Sequence, residues 1–220
     1  MSWAGDSILV ADDDDGAIGP SFAKAIQQQV REELLESLGE RRGRRTSRGR
    51  PEGIVTIVFT DIEDSSGLVS RPGDERARAL IRQHDEVLRQ TVRTHDGVEV
   101  ERAGDGFMIA FSTASRAIAF AVELQRALAG HPETAPAGIR VRVGMETGEA
   151  IAEEQGYFGR TVFQASRIAD LAQGGRIVVS EATRLIAAPG DHRFQDLGEH
   201  ELKGLGGPFR LHEVLWEDEG

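Results

Sequence analysis

An α+β domain, with a βαββαβ core and extra strands after it, is the fold this sequence predicts, and three observations carry that expectation. Ile54, Val55, Ile57, Val58 and Phe59 form an apolar, β-branched and aromatic run of the kind that makes a fully buried strand. Val98 to Phe111 reads as a hairpin turning at Ala103 to Gly106. Helical stretches then alternate with further strands, an order that suits an antiparallel-rich sheet with helices on one face.

Taken in order, residues 1–50 stand apart from the domain at 51–216. Residues 1–19 contain Asp12 to Asp15 and read as an acidic leader. Phe22, Ile26, Val30, Leu34 and Leu38 recur every four residues, which describes an amphipathic helix. It lies on its own domain or pairs with a second copy. Arg41 to Arg50 holds six arginines and no apolar residue, and reads as a solvated linker. Within the domain, Asp74 to Val92 puts Ala77, Leu80, Ile81, His84, Leu88 and Val92 on one helical face. His84 and His95 read as a helix-face and a surface histidine rather than as ligands. Ser112 to Leu128 is expected as a second helix, Gly138 to Ala152 as a long strand and Phe158 to Leu171 as a third helix. Arg176 to Ser180 reads as a strand, Glu181 to Ala187 as a short helix, and Phe194 to Leu215 as two or three short strands.

The chain has 220 residues, no cysteine and a net charge of −11. That length holds one domain of roughly 150 to 170 residues with a proper core. The absence of cysteine asks for no oxidising compartment, and the sequence has neither a membrane-length apolar run nor a signal peptide, so a cytoplasmic setting is expected. The acidic balance argues against nucleic-acid binding, and the arginine run lacks the interleaved aromatic residues such binding uses.

Chemistry is concentrated in two acidic tips. The first strand ends in Asp61, Glu63 and Asp64, and the hairpin carries Asp105 at its turn. Two carboxylates on adjacent rigid strand ends suit a Mg²⁺ or Mn²⁺ ion that also takes phosphate oxygens. FTDIEDS, ERAGDGFM about forty residues later, then YFGRTVFQASR and LKG, in that order, resemble the catalytic domain of the class III nucleotidyl cyclases. The resemblance spans about Ile54 to Val214 and implies a ferredoxin-like core.

The resemblance implies two divalent cations, Mg²⁺ or Mn²⁺, held by Asp61, Asp105 and the Ile62 carbonyl. Glu63, Asp64, Ser65 and Ser66 would line the phosphates, with backbone N–H groups offered where the next helix begins. Arg167 corresponds to the family's transition-state arginine; the competing reading pairs it with Asp170 or Glu63. Phe163, one helical turn before Arg167, stands where the family usually has an asparagine near the ribose. Lys203 resembles the late lysine that meets the triphosphate, with Leu205 as the competing position. Glu101 stands where guanylate-forming members carry glutamate and adenylate-forming members lysine. A carboxylate is acceptor-only, so it matches the N1 and 2-amine donors of guanine and faces adenine N1 with a like lone pair. Gly156 offers no side chain to the adenine amine, and Tyr157 either donates toward guanine O6 or packs.

These residues imply a purine nucleotide cyclase acting at a homodimer interface. The metal carboxylates and the base-and-arginine set would lie on opposite faces of each domain, with GTP favoured. The compact FTDIEDSS and YFG forms are nearest to bacterial adenylate-forming members, which keeps ATP and cyclic AMP as the alternative. Phe163 motivates a second alternative, a nucleotide-binding domain with impaired catalysis.

Overall fold

The computed structural model describes residues 51, 53–65, 74–153, 156–187 and 190–217. The leader, amphipathic helix and arginine-rich linker expected in residues 1–50, and Ser66, lie outside the described residues. In chain order the elements are β1 (Gly53–Ile62), α1 (Asp74–Thr94), β2 (Val98–Ala103), β3 (Gly106–Phe111), α2 (Ala114–Gly130) and β4 (Val141–Ala152). β5 (Tyr157–Phe158), α3 (Arg160–Leu171), β6 (Ile177–Ser180), α4 (Glu181–Ala187), β7 (Arg193–Glu201) and β8 (Pro208–Leu215) follow.

The main sheet runs β2-β3-β1-β4-β6-β8-β7, with β5 paired to β4 beside it. β1 lies between β3 and β4 and is antiparallel to both, so the predicted buried strand is flanked on each edge. β4 and β6 are parallel, and the remaining pairs are antiparallel. This is the expected α+β architecture, with β7 and β8 as the late strands.

The expectation of helices on one face is corrected. β1 is buried on both faces from Val55 to Ile62, so each face needs its own cover. Val58, Ile109, Phe111 and Val143 meet Leu88 of α1, Phe120 and Leu124 of α2 and Ala187 of α4 on one side. Ile57, Phe59 and Met108 meet Val162, Ala165 and Ala169 of α3 on the other. β4 makes room for α3 at Gly144, where a Cβ would come within 2.1 Å of the Ala169 backbone nitrogen. A third cluster joins Ile168 and Ala172 of α3 to Val178 and Leu211, and so ties the late strands to the same helix.

Helix boundaries differ from expectation for local reasons. α2 starts after Thr113, whose hydroxyl accepts the Arg116 N–H at 3.3 Å as an N-cap. Phe158 is drawn out of the expected third helix because it and Tyr157 form the short ladder with Ile151 and Ala152.

Candidate active site

The ladder between β1 and β3 ends at Thr60 opposite Phe107. One step further along that register, Asp61 stands opposite Gly106, beside the turn that bears Asp105. Side chains alternate along β1, so Asp61 shares the α3 side of the sheet with Ile57 and Phe59. The two carboxyls meet there. Burial pushes the Asp61 carboxyl up from 3.8 to about 6, and the charge of Asp105 and the hydrogen bond between the two add to the rise. Arg142 of β4 pulls the other way. Its Nη2 and Nε donate to Asp61 Oδ2 at 2.6 and 3.1 Å, and both side chains are less than a tenth exposed.

Asp105 Oδ2 is buried with no hydrogen-bond partner. A carboxylate pair with one orphaned oxygen, in which the Asp105 charge raises the cost of ionising Asp61, is a site a divalent cation fits. Among the described residues no group of three or more His, Asp or Glu side chains converges on one point. An ion held here would therefore complete its shell with backbone and substrate oxygens, the arrangement Mg²⁺ commonly takes with phosphates.

The sign of the pH dependence follows. Well below pH 3.8 the Asp61 contribution to stability is fully present, and it is lost as pH rises through about 6, because the unfolded carboxyl ionises first. Thermal unfolding of the chelator-treated protein from about pH 4 to about pH 6.5 should show this as a stability deficit relative to Asp105→Asn that grows with pH. A constant difference between the two proteins would contradict the coupling.

On α3, Arg167 Nη1 donates to Asp170 Oδ2 at 3.0 Å, the pairing that sequence reading set against its catalytic role. Burial pushes the Asp170 carboxyl up, and Arg167, Arg142 and Lys203 lower it in turn. One carboxylate thus lies within the fields of the Asp61 partner, the candidate transition-state arginine and the late lysine. Asp61 and α3 share one side of the sheet, because Arg142 and Gly144 of β4 face the same helix.

Lys203 is exposed beside this group, whereas Leu205 packs among Ile168, Leu202 and Phe209. Glu101 is half-buried and pairs with Met108, on the α3 side of β2. Gly156 is brought to the same strand: a Cβ on it would lie 3.9 Å from Val100 Cγ1. Tyr157 is buried, and its hydroxyl donates to the Pro51 carbonyl at 2.6 Å, as a packing residue would. Phe163 is half-buried, with its ring edge-on to Phe158 at 6.2 Å between centroids.

Glu63 is engaged within the chain. Its N–H donates to the Arg140 carbonyl at 2.9 Å, and its carboxylate takes the Gly174 N–H at 2.8 Å and the Arg140 guanidinium at 2.6 Å. Those contacts tie the end of β1 to the segments flanking β4 and β6. Asp64 is exposed at φ 53, Ser65 is half-buried, and the Ile62 side chain is buried in the core. Sequence reading missed Arg142 and named Asp170 only as a rival partner. The available signal was an arginine in IRVRVGM between valines that are themselves fully buried.

The fold agrees with what the chain is similar to. It belongs to the adenylate and guanylate cyclase catalytic domain family, whose sequence model matches residues 49–215. An uncharacterized protein of Mycobacterium tuberculosis is 38% identical over 177 residues, which cover 78% of this chain and 59% of that protein. The adenylate cyclase of Podospora anserina is 36% identical over 155 residues, 59% of this chain and 7% of that protein. Adenylate cyclases of Trypanosoma brucei, solved in their monomeric state, superpose with a TM-score of 0.68 at 25% identity, covering 76% of this chain and 90% of theirs. The chain thus spans little more than half the length of the mycobacterial relative. No helix among the described residues is long and apolar enough to cross a membrane.

Proposed function

We propose that this chain converts a purine nucleoside triphosphate to its 3′,5′-cyclic monophosphate and pyrophosphate, with GTP favoured over ATP. The pairing of buried Asp61 with half-buried Asp105, whose Oδ2 is buried and unpartnered, is the observation that carries this reading. Asp61, Asp105 and the Ile62 carbonyl would hold the divalent cations. The chemistry such ions supply when bound is activation of the ribose 3′-hydroxyl and neutralisation of the triphosphate.

The protein's own groups do the rest. Arg167 stabilises negative charge as it grows on the α-phosphate, a task suited to a planar guanidinium that never loses its proton. Asp170 holds that guanidinium ready on α3, and Lys203 meets the outer phosphates. Glu101 accepts from guanine N1–H and the 2-amine. Gly156, beside Val100 on the same strand, leaves that edge without a competing side chain. Phe163 cannot hydrogen-bond the ribose, so its packing against Phe158 favours a slow enzyme. The complete site is assembled from two copies, the carboxylate pair from one and Glu101, Gly156 and Arg167 from the other.

Product analysis tests the reading. Purified protein with Mn²⁺ and either GTP or ATP should yield cyclic GMP faster than cyclic AMP, and Glu101→Lys should reverse the order. Faster cyclic AMP formation by the unaltered chain would make ATP the substrate, the nucleotide implied by its relatives named adenylate cyclase. No product from either would leave nucleotide binding alone.

A further inference from the structure

The hairpin of β2 and β3 turns through Gly104 and Asp105, with Gly104 at φ +64, the left-handed form that a glycine-first hairpin turn uses. Asp105 Oδ2 has no hydrogen-bond partner of its own. The turn that carries this carboxylate is gripped from behind by Arg102. Arg102 Nε donates to the Gly104 carbonyl at 3.1 Å, and Arg102 Nη2 meets Asp85 Oδ2 of α1 at 2.7 Å.

Asp85 is itself nearly buried and held on both oxygens, by His84 Nδ1 at 3.2 Å and Arg89 Nη1 at 3.8 Å. Arg89 makes a second tie to the hairpin through two hydrogen bonds to Glu99, at 2.8 and 3.0 Å. The Arg89 and Arg102 guanidinium groups lie 5.1 and 5.4 Å from the centroid of the buried Phe107 ring. A register shift between Glu99 and Glu101 makes this possible. Glu99 pairs with Ile109 and Arg102 with Phe107, both on the α1 side, while Glu101 pairs with Met108 on the α3 side. A bulge of this kind re-aims side chains next to a site.

We propose that Asp85 and Arg102 are positioning residues, which lock the Gly104-Asp105 turn to α1 so that the Asp105 carboxylate stays beside Asp61 to receive a divalent cation. This rests on the reading of Asp61 and Asp105 as the metal carboxylates. The Arg102 fork suits the task because it spans a carboxylate and a carbonyl at once, which a lysine ammonium on its single point cannot do in the same geometry. Outer partners of metal ligands typically govern affinity by roughly 10- to 100-fold.

The test is Mn²⁺ binding by the full chain without nucleotide, followed by the electron paramagnetic resonance signal of the free ion. Arg102→Gln and Asp85→Asn should each weaken binding about 10-fold, and the double variant should lose little more, because both act through one route. Arg102→Lys should also bind weakly. Arg102 faces an open groove of about 460 Å³ and its side chain is 38% exposed, so Arg102→Gln should fold even where Asp85→Asn does not. Thermal unfolding without metal checks this. Unchanged Mn²⁺ affinity in folded Arg102→Gln, with binding lost in Asp105→Asn, would overturn the positioning role alone. Unchanged affinity in Asp105→Asn would overturn the metal reading beneath it and this inference with it.

Discussion

Asp105→Asn is expected to lower cyclisation roughly 10³-fold, worth about 4 kcal/mol of transition-state stabilisation, while leaving the metal-free fold at least as stable as before. Removing the Asp105 charge relieves the like-charge pressure that helps hold Asp61 up at about 6. Asp61→Asn should be equally inactive. It takes away the carboxylate on Arg142 Nε and Nη2, but also the buried charge that burial and Asp105 together oppose more strongly than Arg142 favours it, so near neutral pH the metal-free fold should be no less stable. Initial rates with Mn²⁺, together with urea unfolding in chelator near neutral pH, check both halves. Two carboxylate variants that lose activity without losing stability are what a carboxylate pair built for a cation predicts. An active Asp105→Asn would contradict the chemistry, and a strongly destabilised Asp105→Asn would contradict the like-charge pressure on Asp61.

The second large effect belongs to Arg167. Arg167→Ala should reduce kcat by roughly 10² to 10³ with a much smaller change in KM, the mark of a group that acts on charge appearing only in the transition state. The same change deprives Asp170 of its 3.0 Å partner in a partly buried setting, at a cost of about 1–3 kcal/mol. Arg167→Lys separates the two effects. It keeps a cation beside Asp170 and so most of the stability, but not the planar fork, so activity should stay low. Recovery of both together would make Arg167 a helix-pairing residue, the rival reading that its contact with Asp170 allows.

Much of this was legible in the sequence because it lies in local patterns. The apolar run of β1, the acids at its tip and the Gly-Asp-Gly turn each declare themselves within a few residues, and β1 and the hairpin fall where the spacing set them. Face assignments were harder to read. A helix such as α3 looks the same from either side of a sheet, and what decides is that β1 is buried on both faces and that β4 has Gly144 where Ala169 approaches. Pairings between distant segments were also invisible. The Glu63 carboxylate accepts the N–H of Gly174, 111 residues later. Arg142 is 81 residues from Asp61, and Tyr157 is 106 residues from the carbonyl its hydroxyl reaches. No short motif encodes contacts of that range.

Because a single chain carries both the carboxylate pair and Arg167 on one side of its sheet, with Asp170 within the field of Arg142, whether the two sets serve the same triphosphate across two copies is the decisive question. Mixing Asp105→Asn chains with Arg167→Ala chains answers it. Each mixed dimer would contain one intact site and one doubly damaged site, so random pairing should restore about one quarter of the unaltered activity from two nearly inert proteins. A mixture no more active than its components, at concentrations where the chains exchange, would contradict the shared site.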